Sequence, residues 1–418
     1  MRYAYSIVIL LLLFSCSSSN ELPNEGVNDD EVVDTNNPPV EEEDPVEEEE
    51  EEEFDPVEKE YNLEILTTSG DDEIQLSLEY VSGNVVETNL TQELGIQKTD
   101  YYIREIENSL LSFHSWPSSY TSISTYQKDV ISGSIDITED YCILPPDANG
   151  VNNGISLYTG NQNKLVLVHS TYDIPVTLEQ YYVTIYDKAS GECKQVELDP
   201  NPKANQISLG IQFQIINEDV LALLYVTGDN LNPTVAFIDL ESATVLSSKI
   251  FNRFSAGSFY NGDFLAIRLE SSNFLIETYD IQSFELESTK TANGLPSILY
   301  GLSHTVFFND QFSFEKVYPA SEHYRRQPAI YDMGSDKVVE GNQPFLEELA
   351  VDLQDELGTA PIFPVRKVDV ENRNIILGYD RNDGSETGGI VFTNFDLEVY
   401  KVVELDYVPE EIIIKSVN

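Results

Sequence analysis

Thr278-Tyr279-Asp280-Ile281-Gln282-Ser283, followed by Phe284-Glu285-Leu286, is the stretch that decides the fold. An aromatic residue closes a strand. An aspartate follows, whose side chain suits capping its own turn, and serine stands at the corner before a second, more polar strand. The order recurs. Ile185-Tyr186-Asp187-Lys188-Ala189-Ser190-Gly191 runs into Lys194-Gln195-Val196, Phe237-Ile238-Asp239-Leu240-Glu241-Ser242 into Thr244-Val245-Leu246, and Ile330-Tyr331-Asp332-Met333-Gly334-Ser335 into Lys337-Val338-Val339. Weaker copies are Leu78-Glu79-Tyr80-Val81-Ser82-Gly83, Thr125-Tyr126-Gln127 through Ser132-Gly133, and Phe392-Thr393-Asn394-Phe395-Asp396-Leu397. Each reads as a hairpin.

Apolar strands precede the copies, among them Lys164–Val168, Val220–Leu224, Phe264–Ile267 and Asn374–Leu377. Aligned on positions 79, 127, 187, 239, 280, 332 and 396, the copies are separated by 48, 60, 52, 41, 52 and 64 residues. Blades of four strands recur every ~40–50 residues in β-propellers, so the pattern predicts an all-β, seven-bladed propeller over residues 61–418 with long loops. Two strands only, near 62–68 and 73–79, precede the first copy, and Glu411–Val417 follows the last. That orphan strand is expected to complete the first blade and close the ring. Its Ile412-Ile413-Ile414 calls for cover on both faces. One helix, at about 343–357, interrupts the strands: Phe345, Leu349, Leu353 and Leu357 share a face, with Asn342 as cap, Pro344 in the first turn and Gly358 at the end.

The amino terminus is an address. Arg2 precedes the apolar run Ala4–Phe14, too short to span about 30 Å of hydrocarbon, so residues 1–15 read as a signal peptide. The run ends in Leu13-Phe14-Ser15-Cys16, which resembles the lipobox of bacterial lipoproteins, although Phe14 is bulkier than usual there. The resemblance implies acylation of Cys16. Ser17 in place of aspartate favours the outer membrane, with the periplasmic or cell-surface side left open. Residues 16–60 read as a disordered stalk: positions 21–60 hold 20 acids and one Lys, including Glu47–Glu53, and such a stretch cannot offset its chain entropy by burial. A spacer is the expectation; a Ca²⁺ sponge would need more rigid geometry.

The whole chain carries a net charge of −51, and −33 remains in residues 61–418 once Arg2 and the −19 of the stalk are set aside. That excludes nucleic acid, which rewards clustered Lys and Arg, and polybasic docking on anionic lipid. Cys142 and Cys193 are the cysteines besides Cys16; an exported compartment permits a disulfide, and two separate thiols fit the sequence as well.

Over residues 61–418 the chain resembles bacterial β-propeller lipoproteins in its hairpin pattern. It lacks Trp-Asp repeat ends and the Ser-x-Asp-x-Gly-x-x-Trp box of sialidases; Gly388-Gly389 is its one paired glycine, and Trp116 its one tryptophan. His114, His169, His304 and His323 are scattered, and no Gly-x-Ser-x-Gly or phosphate-binding loop is present. No metal and no cofactor are therefore expected. The loop Asp380–Glu386 is oxygen-rich but lacks EF-hand spacing, and reads as a turn. Two regions suit a ligand. Tyr101, Tyr102, His114 and Trp116 offer stacking surface for a sugar or peptide, although packing between blades calls for the same residues. His323, Arg325 and Arg326 surround the one paired-Arg cluster, fit to fork an anion or to bridge nearby carboxylates. The expectation is a membrane-tethered, non-catalytic binding or assembly module of the bacterial envelope, with an envelope protein or glycan as partner and a part in nutrient capture. The alternative is a carbohydrate-active hydrolase or lyase with a carboxylate pair in the propeller channel.

Overall fold

The structure, a computed structural model, describes residues 58–96, 101–107, 109–116, 123–142, 154–172, 179–198, 211–217, 219–227, 232–251, 253–271, 273–295, 299–300, 307–319, 321 and 323–418. The signal segment, Cys16, the stalk before residue 58 and His304 lie outside them. Residues Asp55–Asn418 form one compact unit.

Its strands fall into seven antiparallel sheets. Blade one holds β1 (Tyr61–Ser69), β2 (Asp72–Leu78) and β3 (Val85–Asn89), followed by a short helix α1 (Leu90–Leu94). Blade two holds β4 (Tyr101–Glu107), β5 (Leu110–Trp116), β6 (Ile123–Asp129) and β7 (Ile135–Tyr141). Blade three holds β8 (Gly154–Gly160), β9 (Lys164–Tyr172), β10 (Glu179–Asp187) and β11 (Cys193–Glu197). Blade four holds β12 (Ile211–Asn217), β13 (Val220–Thr227), β14 (Asn232–Asp239) and β15 (Thr244–Ile250); blade five holds β16 (Phe254–Tyr260), β17 (Asp263–Glu270), β18 (Asn273–Asp280) and β19 (Leu286–Ala292). Blade six has a broken first strand, β20 (Leu299–Tyr300) and β21 (Phe307–Phe308), then β22 (Gln311–Val317), β23 (Arg326–Asp332) and β24 (Lys337–Glu340). Helix α2 (Leu346–Leu357) leads into blade seven: β25 (Ile362–Asp369), β26 (Asn374–Asp380), β27 (Gly388–Asn394) and β28 (Val399–Leu405). The last strand, β29 (Glu411–Val417), returns to blade one and pairs with β1, setting Ile65 opposite Ile412 and Leu63 opposite Ile414. The sheet order is β29-β1-β2-β3, so the C-terminal strand closes a seven-bladed β-propeller.

The ring follows from alternation within the strands. Successive residues point to opposite flanks of a blade, and both flanks are apolar. In β17, Leu265 and Ile267 pack with Phe312 and Ala329 of blade six, whereas Phe264 and Ala266 pack with Leu224 and Phe237 of blade four. Seven buried clusters result, one at each blade boundary. The isoleucines of β29 divide the same way. Ile412 and Ile414 pack on Ile376 and Ile390 of blade seven, and Ile413 on Leu111 and Phe113 of blade two. Fourth strands such as β3 and β15 lie exposed at the rim.

The repeated hairpin is the turn between third and fourth strands. The Asp239, Asp280 and Asp332 carboxylates accept from the backbone N–H three residues on, at 2.5–2.7 Å, and from that residue's serine hydroxyl. Two alignments need correction. In blade two the capping residue is Asp129, not Gln127, because β6 runs two residues further and Asp129 accepts from Ile131 and Ser132 N–H. In blade seven it is Asn394, not Asp396: Asn394 accepts from Asp396 and Glu398 N–H.

Helix α2 starts at Leu346, three residues later than expected, and Asn342 does not cap it. The buried Gln327 amide oxygen accepts from Phe345 and Leu346 N–H instead, at 2.6 and 3.1 Å, while Asn342 donates to Val338 O. Gly358 ends the helix in the left-handed conformation. Its apolar face fills the boundary between blades six and seven, against Tyr324, Phe363 and Leu377. Helix α1 was not anticipated, although Asn89 caps it and Gly95 ends it.

Cations cross every boundary. Arg104 and Lys128 of blade two reach Glu73 and Glu93, Lys188 reaches Asp136, and Lys164 reaches Glu241. Lys249 lies 5.2 Å from the Tyr279 ring centre, Lys290 donates to Gly334 O, Arg366 reaches Glu315, and Lys367 reaches Glu411. Cys142 and Cys193 form a disulfide, which joins the outer strands of blades two and three.

Candidate functional site

The two faces of the ring differ. Turns between first and second and between third and fourth strands are tight, two to six residues in blades one and two. The other face carries the longer connections, including α1, α2 and the link between β28 and β29. The chain arrives at β1 on the tight-turn face, where Glu60 and Asn418 exchange backbone hydrogen bonds. The two candidate ligand regions sit on the long-connection side. Register puts Tyr101 opposite Trp116 and Tyr102 opposite Ser115, at that end of blade two. His323, Arg325 and Arg326 lie between or at the ends of β22 and β23 in blade six. Blades seven and one separate the two regions around the ring, so they do not form one site.

His114 belongs to the core. Its ring is fully buried, with Nε2 3.1 Å from Glu105 and Nδ1 2.9 Å from Thr125 Oγ1, which in turn lies 2.6 Å from Tyr141 OH. Burial pushes the imidazole down to about 3, so it is neutral at ordinary pH. A carboxylate only accepts, which puts the proton on Nε2. Nδ1 then accepts from Thr125, and Thr125 from Tyr141. The chain Tyr141–Thr125–His114–Glu105 is thus a satisfied polar thread that orients β5 on β6. His169, also buried, is pushed down to about 4 and stacks on Tyr182. Among the described residues its Nδ1 has no hydrogen-bond partner.

His323 and Arg325 are exposed. Arg326 approaches Glu315 at 3.9 Å, and Tyr324 points inward, donating to Pro361 O. Arg326 thus lies beside one carboxylate, that of Glu315. In the Asp380–Glu386 loop, Asp380 and Asp383 each accept from a backbone N–H two residues on, as in an ordinary turn. No group of three or more His, Cys, Asp and Glu side chains suited to a metal occurs among the described residues, and no helix there is long and apolar enough to cross a membrane.

A cleft that no local motif announced lies between blades one and seven on the long-connection side. It has a volume of about 290 Å³ and is lined by Leu76, Val85, Glu87, Arg381, Thr387, Glu404, Leu405, Asp406 and Tyr407. Ring closure alone brings these residues together, which is why sequence reading misses them. Arg381 pairs with Glu404, and Tyr407 OH lies 3.3 Å from Glu87.

No protein-family model and no curated protein sequence matches the chain. Solved propellers resemble it in shape. The β-propeller domain of the trilobed protease from Pyrococcus furiosus aligns with 73% of this chain and 85% of its own at 11% identity, with a TM-score of 0.42. Acylaminoacyl peptidase from Pyrococcus horikoshii aligns with 82% of this chain at 11% identity and a TM-score of 0.45; the chain spans about half (52%) of that protein. Apo AztD from Citrobacter koseri aligns with 85% of this chain and 98% of its own at 12% identity and a TM-score of 0.37. Likeness at this level carries no argument about activity; the seven blades rest on the sheet order itself.

Proposed function

We propose that the protein is a membrane-tethered, non-catalytic binding or assembly module of a bacterial cell envelope, held at the outer membrane through acylated Cys16 and an acidic stalk. The observation that carries the reading is the asymmetry of the ring. Residue 60 enters β1 on the tight-turn face, and the opposite face carries the longer connections, where a partner would dock. Support also comes from the described chemistry: His114 and His169 are buried and neutral, in packing roles. Glu411 on the innermost strand of blade one meets Lys367 of blade seven rather than a second carboxyl, which favours binding over a glycosidase-like carboxylate pair. Fractionation of cells expressing the full chain tests the tether. Cys16→Ala should move the protein from the membrane to the soluble fraction; a variant that stays membrane-bound contradicts the reading.

A further inference from the structure

We propose that the boundary between blades two and three is a redox-latched seam, at which the ring parts when the Cys142–Cys193 disulfide is reduced. Among the described residues its buried apolar cluster is the smallest of the seven: Ile123, Tyr141, Cys142, Leu165 and Leu167, against nine or more residues at every other boundary. Strand alternation explains the deficit. On β5 and β6 the apolar Leu111, Phe113 and Tyr126 face blade one, which turns Ser112, His114, Thr125 and Gln127, all buried, toward blade three. Blade three sets the buried His169 and Thr184 beside Leu165 and Leu167. The hydrogen bonds of these groups run within blades. The thread Tyr141–Thr125–His114–Glu105 lies wholly in blade two, Gln127 donates to Ser112, and His169 pairs with Thr184 inside blade three. Such bonds survive a parting of the blades and do not oppose it. His169 Nδ1, buried without a partner among the described residues, gains water on opening, which relieves the cost of an unmet polar group. Tyr141 packs on Tyr186 across the boundary, and Lys188 crosses to Gln127 and Asp136. Asp136 is more than half exposed, where an ion pair contributes little. The disulfide at the rim therefore supplies the hold that the core lacks. Cys193 is exposed and Cys142 buried, so an incoming thiolate meets Cys193 first. It forms a mixed disulfide there and releases Cys142 as a thiolate, which takes up a proton. The second thiol of a dithiol then displaces Cys193, leaving two protein thiols and an oxidised dithiol. A small dithiol or a dithiol oxidoreductase is thus the chemical class that opens the seam.

Carbethoxylation of histidines, read by mass spectrometry on the full chain in detergent micelles, tests the proposal. The oxidised protein is compared with protein reduced by dithiothreitol and freed of reductant without air. In the oxidised ring His114 and His169 should be protected, while the exposed His323 reacts. Reduction should speed modification of His169 at least about tenfold through local opening and leave His323 unchanged. Cys142→Ser together with Cys193→Ser should match the reduced protein with no reductant present. Amide exchange at Leu223 and Leu265, in blades four and five, should stay slow after reduction. Equal acceleration there would mean that the whole ring unfolds, and overturns a local seam. His169 that stays protected in the reduced protein or in the double variant overturns it as well.

Discussion

Gly83, Gly133 and Gly191 occupy the fourth position after the capping residue, at φ between 68° and 73°; Ala243, Phe284 and Asp336 hold the same place at 55–56°. The backbone there is left-handed whichever residue stands in it, and L side chains other than glycine resist it by about 1–2 kcal/mol. A Cβ at Gly133 would meet nothing within 4 Å, so Gly133→Ala isolates that backbone cost. Urea unfolding should show about 1–2 kcal/mol lost with an unchanged slope. Asp129, Asp187, Asp239, Asp280 and Asp332 cap these turns. Burial pushes each upward, most of all at Asp332, but backbone and side-chain hydrogen bonds, chiefly from the serines, outweigh it and hold each below the ordinary aspartate value of 3.8. A depressed folded value means stability that is present above pH 3.8 and lost as pH falls through the lower folded values. Melting temperature should therefore be steady from pH 7 to about 5 and drop steeply below about 4; Asp239→Asn, which keeps an acceptor but no charge, should flatten part of that drop. The motif was legible because Tyr-Asp-x-x-Ser is local. Gln127 and Asp396 misled because a strand continued two residues further in one copy and the turn tightened around Asn394 in the other.

Strands and helices were legible to the degree that their signals lay in one segment. The triple isoleucine of β29 announced an element covered on both flanks, and β29 does divide Ile412 and Ile413 between blades seven and two. Helix α2 was visible in its four-residue spacing. Its true cap was not, because Gln327 comes from another strand. Helix α1, at five residues, is too short for periodicity to register, and only its Asn and Gly ends mark it. The disulfide was left open because sequence spacing does not show that residues 142 and 193 meet. Their meeting follows from two fourth strands lying side by side at the rim, a consequence of the ring. The bond closes a 51-residue separation, which in the chain-entropy account contributes about 4 kcal/mol. Cys193→Ser should lower the melting temperature accordingly, and a reducing agent should bring the parent protein down to the variant's value while leaving the variant unchanged.

At the scale of the molecule, a body with a net charge of −33 in residues 61–418 holds together by hydrophobic boundaries, with cations placed across them. Lys128, Lys164 and Lys188 bury most of their length and reach carboxylates of the adjoining blade or its connecting helix. Paired at their tips, they relieve repulsion where acidic blades approach. The cleft belongs to this scale too: residues 76–87 and 381–407 meet only because the last strand returns to the first, so no local pattern could disclose it. Closure of the ring is thus the claim on which the blade count, the boundary clusters and the cleft depend. Native-state amide hydrogen exchange on the intact protein measures it directly. Strand β29 pairs on one side only, so alternate amides among Ile412 to Ile414 bond to β1; these should exchange as slowly as the amides of β1, and exchange of all three at the rate of a free tail would contradict closure.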